Sequence, residues 1–79
     1  MAVYILIQKV AESDREAVYV FGPDELTLGR LRVRKDSGAV ELISPVPVSN
    51  PEFYFLRARV KVLKHYGRGE FPDRTCFAS

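Results

Sequence analysis

The chain has one cysteine and one histidine among its 79 residues. A lone thiol, Cys76, closes no internal disulfide, so nothing suggests a secreted, cross-linked scaffold. His65 and Cys76 also fall short of the several matched ligands a metal site needs. Glu12, Asp14 and Glu16 sit close together, but they lack the glycine and the remaining ligands of a calcium loop. No metal or cofactor is expected. Glycine-rich phosphate loops and serine-elbow motifs are absent, and Gly67-Arg68-Gly69 follows a helical segment rather than opening one. Long apolar runs are missing too. The start, MAVYILIQKV, is far shorter than the ~20 residues a spanning helix needs, and it has neither a basic lead nor a small-residue cleavage site. The expectation is a soluble, cytoplasmic protein with no membrane partner.

What is present fits one small domain spanning residues 1–79. Apolar residues make up 47% of the chain and charged ones 28%, a balance that folds rather than stays disordered. A domain this small buries only about 60% of the surface of its unfolded chain, so pairing with a second copy is an open possibility. There is no internal repeat and no low-complexity run. The net charge of +2 is unevenly spread. Residues 1–26 carry a net −3, residues 27–48 a net +2 and residues 49–79 a net +3. The basic half could meet an acidic partner, although the simpler reading is compensation between the halves within the fold.

Taken in order, residues 2–10 read as a strand. Val3-Tyr4-Ile5-Leu6-Ile7 is apolar on both faces, which suits an interior position. Residues 11–16 are a polar connection. Ser13 and Glu16 match the capping-box spacing, but the β-branched and aromatic run Ala17–Phe21 makes a second strand at 17–21, antiparallel to the first. Gly22-Pro23-Asp24-Glu25 has turn chemistry. A third strand follows at 27–35, with Arg30, Arg32 and Arg34 on one face and Leu31 and Val33 on the other. After Asp36-Ser37-Gly38 a fourth strand runs over 39–44. A two-residue loop, Ser37-Gly38, would oppose Val33 to Leu42 and Arg34 to Glu41, keeping the apolar residues on one side. Ser44–Val48, with two prolines, is an extended connector, since proline lacks a ladder donor. It is too short for a polyproline ligand.

Residues 51–66 have the ends of a helix. Ser49 or Asn50 can cap, Pro51 suits the first position and Glu52 complements the dipole. Lys64 and His65 lie in the last turn, and Gly67 can take the closing left-handed conformation. Phe55, Leu56, Ala58, Val60, Val62, Leu63 and Tyr66 fall on one broad arc, with Arg57, Lys61 and Lys64 opposite. Arg59 falls within the arc, so it is either buried and paired or reaches water from a packed stem. A rival reading makes 53–65 a fifth strand, because Leu56–Val62 alternates apolar and basic residues. Phe71 and Phe77 imply an ordered tail. The resulting expectation is an α+β fold: a four-stranded, mostly antiparallel sheet covered by one C-terminal helix. Its core should include Val3, Ile5, Ile7, Val18, Val20, Leu31, Val33, Leu42, Leu56, Val62 and Leu63.

No catalytic residues are assigned. The one enzymatic arrangement worth stating is a Cys76 nucleophile with His65 as base, Asp73 as orienting acid and Arg74 favouring the thiolate. The plainer account is that Cys76 is a small packed residue. The candidate interaction surface comprises Arg30, Arg32 and Arg34 on the third strand, and Phe53, Tyr54, Arg57, Lys61 and Lys64 on the helix. Protein interaction, with a partner or with a second copy, is the leading function. Weak nucleic-acid binding through the two basic faces is the alternative.

Overall fold

A computed structural model describes residues 3–79. Among these residues the chain forms five strands and one helix: β1 (Tyr4–Glu12), β2 (Glu16–Asp24), β3 (Thr27–Arg34), β4 (Val40–Ser44), α1 (Pro51–Gly67) and β5 (Arg74–Ala78). The strands make one antiparallel sheet in the order β4-β3-β2-β1-β5, and α1 covers one face. The α+β architecture is the expected one. There is a fifth strand, but it is the C-terminal tail, which pairs with β1 (Ile5 opposite Phe77, Leu6 opposite Cys76). Residues 53–65 are helical. The expected start of the first strand at residue 2 lies outside the described residues.

Strand alternation decides the core. Ile5 and Ile7 of β1, Ala17, Tyr19 and Phe21 of β2, and Leu31 and Val33 of β3 point to the helix side and are fully buried. Ala58 and Val62 meet them from α1. The expectation that Val18 belongs to the core is corrected, since it is only half-buried; Val20 is buried, but on the face away from the helix. That strand is apolar on both faces, and the aromatic side took the covered one, where each ring has far more surface to remove from water. Two further core members were not anticipated. Val46 of the connector is buried, and Gly29 makes room for it: a Cβ there would stand 2.7 Å from the Val46 amide nitrogen. Ala58 is small where helix and sheet approach.

The turns also differ in detail. Ser13 does not start a helix. Its Oγ accepts from the Arg15 and Glu16 amides, and the β1–β2 hairpin turns at Asp14-Arg15. β2 continues through Gly22 and Pro23 with an irregular register, so its turn lies at Glu25-Leu26 rather than 22–25. The β3–β4 loop is Lys35–Gly38, not Ser37-Gly38. The Arg34 amide donates to Ala39 O and the Gly38 amide to Arg34 O. Val33 therefore opposes Val40, Leu31 opposes Leu42 and Arg32 opposes Glu41. A two-residue slip preserves the faces, but Leu42, expected in the core, lies on the edge strand and is 44% exposed. Gly38 adopts φ +77, and a Cβ there would stand 2.7 Å from the Tyr66 ring. The Tyr66 hydroxyl donates to Lys35 O, fastening the end of α1 to this loop.

The ends of α1 depart from expectation as well. Asn50 occupies the N-cap position without a side-chain cap hydrogen bond, and Pro51 starts the helix. The helix runs through Gly67, and Gly69, at φ +71, is the left-handed glycine that ends it. Residues 70–73 are then tied down. Lys9 Nζ pairs with Glu12 and Asp73 and donates to Phe71 O; Lys35 pairs with Glu12; the Tyr19 hydroxyl donates to Pro72 O. Hydrogen bonding to Lys35 and Lys9 holds the Glu12 carboxyl down at about 2, while burial pushes the Tyr19 hydroxyl up to about 12. No helix among the described residues is long and apolar enough to cross a membrane.

Candidate functional site

The two basic surfaces expected from the sequence lie on opposite sides of the molecule. Arg30, Arg32 and Arg34 alternate with the buried Leu31 and Val33, so they stand on the uncovered face of the sheet. Arg57, Lys61 and Lys64 lie on α1, which covers the other face. They cannot form one continuous patch.

The arginine row is largely neutralised. Arg32 Nε donates to Glu41 Oε1 at 2.9 Å and has Glu16 at 3.9 Å, and Arg34 has Asp36 at 3.8 Å. Arg30 has no ion-pair partner among the described residues. An unanticipated cation, Arg74, joins this face from β5. The register runs Arg30–Val20–Gln8–Arg74 across four strands. Tyr4, on the same face, is 57% exposed, but Leu6 and Val20 beneath the charged row are almost closed to water, each 9% exposed. Long flanking side chains can cover such residues with their stems while their heads remain solvated.

The helix surface is arranged in the opposite way. Its sheet-facing stripe is Tyr54, Phe55, Ala58, Val62 and Tyr66. Leu56 and Val60 do not belong to it and are 54% and 44% exposed. The broad arc inferred from the sequence is thus two stripes. The second, Phe53-Leu56-Val60-Leu63, follows the 3-4-3 spacing of a and d positions along a helical seam, and its two end residues are half-buried. On one flank stand Arg57, Lys61 and Lys64. On the other stand Arg59, exposed to water, and the one acid, Glu52. Among the described residues none of these five charges is in an ion pair. Arg57 instead lies over the Phe53 ring, 3.7 Å from its centroid, and donates to Phe53 O. Tyr54 packs its edge against Phe53 while contacting the core.

Of the candidate residues, the structure therefore brings together Phe53, Tyr54, Arg57, Lys61 and Lys64, and separates Arg30, Arg32 and Arg34 from them. Leu56, Val60 and Leu63 were missed as surface residues. The signal was present: positions 53, 56, 60 and 63 form a heptad-like seam distinct from 54, 55, 58, 62 and 66.

The groups considered for thiol chemistry are dispersed. His65, in the last turn of α1, has Nδ1 3.1 Å from Glu70 Oε1 and Nε2 3.0 Å from Thr75 Oγ1. Cys76 follows Thr75 on β5 and faces the opposite side of the sheet, beside Leu6. Asp73 is engaged by Lys9. No three His, Cys, Asp or Glu side chains cluster as metal ligands among the described residues. In comparisons with known proteins, the chain matches no family model, no curated protein and no solved structure.

Proposed function

We propose that this protein is a small, non-enzymatic interaction module of the cytoplasm whose recognition surface is the outer face of α1. The observation that carries this reading is the exposure of Leu56 and Val60 on a helix that already has a complete second stripe packed on the sheet. Neither belongs to the core cluster. Contact with a partner removes their apolar surface from water, at about 25 cal/mol per Å². Exposed apolar side chains grouped in a seam mark contact surfaces more often than singly scattered ones do.

Weak nucleic-acid binding is the second reading, and two features disfavour it. Arg32 and Arg34 already face carboxylates, and phosphate contacts have no use for the aliphatic seam of α1. The test is a photo-crosslinking residue placed at position 60, and separately at position 32, in protein expressed in its own cells. The expected result is a discrete protein adduct from position 60 and none from position 32. A nucleic-acid adduct, or protein adducts from position 32 alone, contradicts the reading.

A further inference from the structure

The geometry points to an amphipathic helix with acidic flanks as the partner that docks on the outer face of α1. This inference rests on the interaction reading above and names the chemistry of the occupant. The seam Phe53-Leu56-Val60-Leu63 presents a and d positions to a facing helix, which would insert its own apolar residues between them. Arg57 and Lys64 then occupy the flank on one side of the seam, with Lys61 beyond them. Glu52 and Arg59 occupy the flank on the other. Four cations and one carboxylate border the seam, all without ion-pair partners among the described residues. Placing acids opposite the four cations adds attraction without breaking any existing pair, and outweighs the repulsion at the single Glu52.

The same flanks argue against a second copy of this chain as the occupant. In an antiparallel self-pair each flank meets its own copy, setting Arg57 and Lys64 among the partner's identical cations. In a parallel self-pair Glu52 finds Arg57, but Arg59 is set against Lys64. Like charges face each other in both arrangements, and such juxtaposition selects against a pairing. An anionic bilayer satisfies the charges, but it accepts aliphatic and basic residues without regard to the 3-4-3 spacing. The spacing favours a helix.

The experiment uses the full chain, isotope-labelled, and two synthetic helical peptides of about three heptads with leucine at a and d. One carries glutamate at e and g and the other carries lysine there. The expected result is that the glutamate peptide shifts the amides of residues 53–64 saturably, and that the lysine peptide binds at least about tenfold more weakly, the effect of a few exposed charge pairs. Raising salt from about 0.1 to 1 M, which shortens the Debye length from about 10 to 3 Å, should reduce that preference. Lys61→Glu with Lys64→Glu should reverse it. Both positions lie on the surface of α1, so the variant retains the fold.

Equal binding of both peptides at residues 53–64 overturns the acidic partner while leaving the interaction reading intact. If neither peptide moves 53–64, both are overturned. Tighter binding to anionic vesicles than to the glutamate peptide, or a concentration-dependent dimer whose formation blocks the peptide, assigns the face to a membrane or a second copy and overturns the inference.

Discussion

The uncovered face of the sheet and the outer face of the helix are both open to solvent, yet they are built differently. On the sheet, Leu6 and Val20 lie nearly sealed, and the arginines above β3 are mostly matched by Glu41, Glu16 and Asp36. On the helix, Leu56 and Val60 stand half in water and the surrounding charges are unmatched. The first surface has paired most of its β3 charges, Arg30 excepted; the second leaves its charges without ion pairs among the described residues. A basic stripe read from sequence can belong to either kind, and only the positions of the carboxylates and the depth of the apolar residues tell them apart.

The largest effect expected from this contrast is in stability. Leu6→Ala on the sheet should cost about 2–4 kcal/mol, as for other buried leucines, whereas Leu56→Ala on the helix should stay within about 0.5 kcal/mol. Denaturant unfolding of the two variants checks this, and comparable losses would erase the distinction.

Next in size is the fastening that holds α1 in place so that its second stripe faces outward. Gly38→Ala forces a side chain into a left-handed position against the Tyr66 ring and should cost about 1–3 kcal/mol by the same measurement. A neutral substitution would mean that the β3–β4 loop and the end of α1 are not pressed together.

A smaller effect separates the two sets of charges. Arg32→Ala should lose about 0.5 kcal/mol at low salt, less at high salt, because its partner carboxylates are partly solvated. Lys64→Ala, with no partner to lose, should leave stability unchanged. Thermal melts at two ionic strengths read both.

The smallest is a pH dependence at the end of the molecule where residues 70–73 are tied down. Glu12 titrates at about 2 when folded, against an ordinary value of 4.5. Its contribution is therefore fully present above pH ~4.5 and fades as pH falls toward ~2. Glu12→Gln should melt below the wild type at pH 7, with the gap closing through that window. A gap constant with pH would mean that the Lys9–Glu12–Lys35 cluster is not held together by charge.

Much of this fold is legible in the sequence because local signals agree. β-branched runs bounded by turn residues give β1 to β4, and Pro51 and the basic last turn give α1. The tail's pairing with β1 is not legible. Arg74–Ala78 is short, and its partner lies some seventy residues earlier, so only tertiary structure reveals the match. The face of β2 was ambiguous because Val18, Val20, Tyr19 and Phe21 are all apolar. The helix was harder still. A single 100° periodicity merges two adjacent apolar stripes into one broad arc, which places Leu56 and Leu63 in the core and Val60 on the same face. The alternation from Leu56 to Val62 that suggested a strand comes from overlaying these two stripes with the basic residues between them. Arg59, awkward in a single arc, is simply a flank of the outer seam.

The account turns on Leu56 and Val60 being recognition residues rather than core, and one double variant addresses this directly. Leu56→Ser with Val60→Ser is melted alongside the wild type and assayed for the adduct formed from a crosslinker at the adjacent position 63. The prediction is an unchanged Tm together with loss of the adduct. A large fall in Tm would place the pair in the core, and a retained adduct would place recognition elsewhere on the molecule.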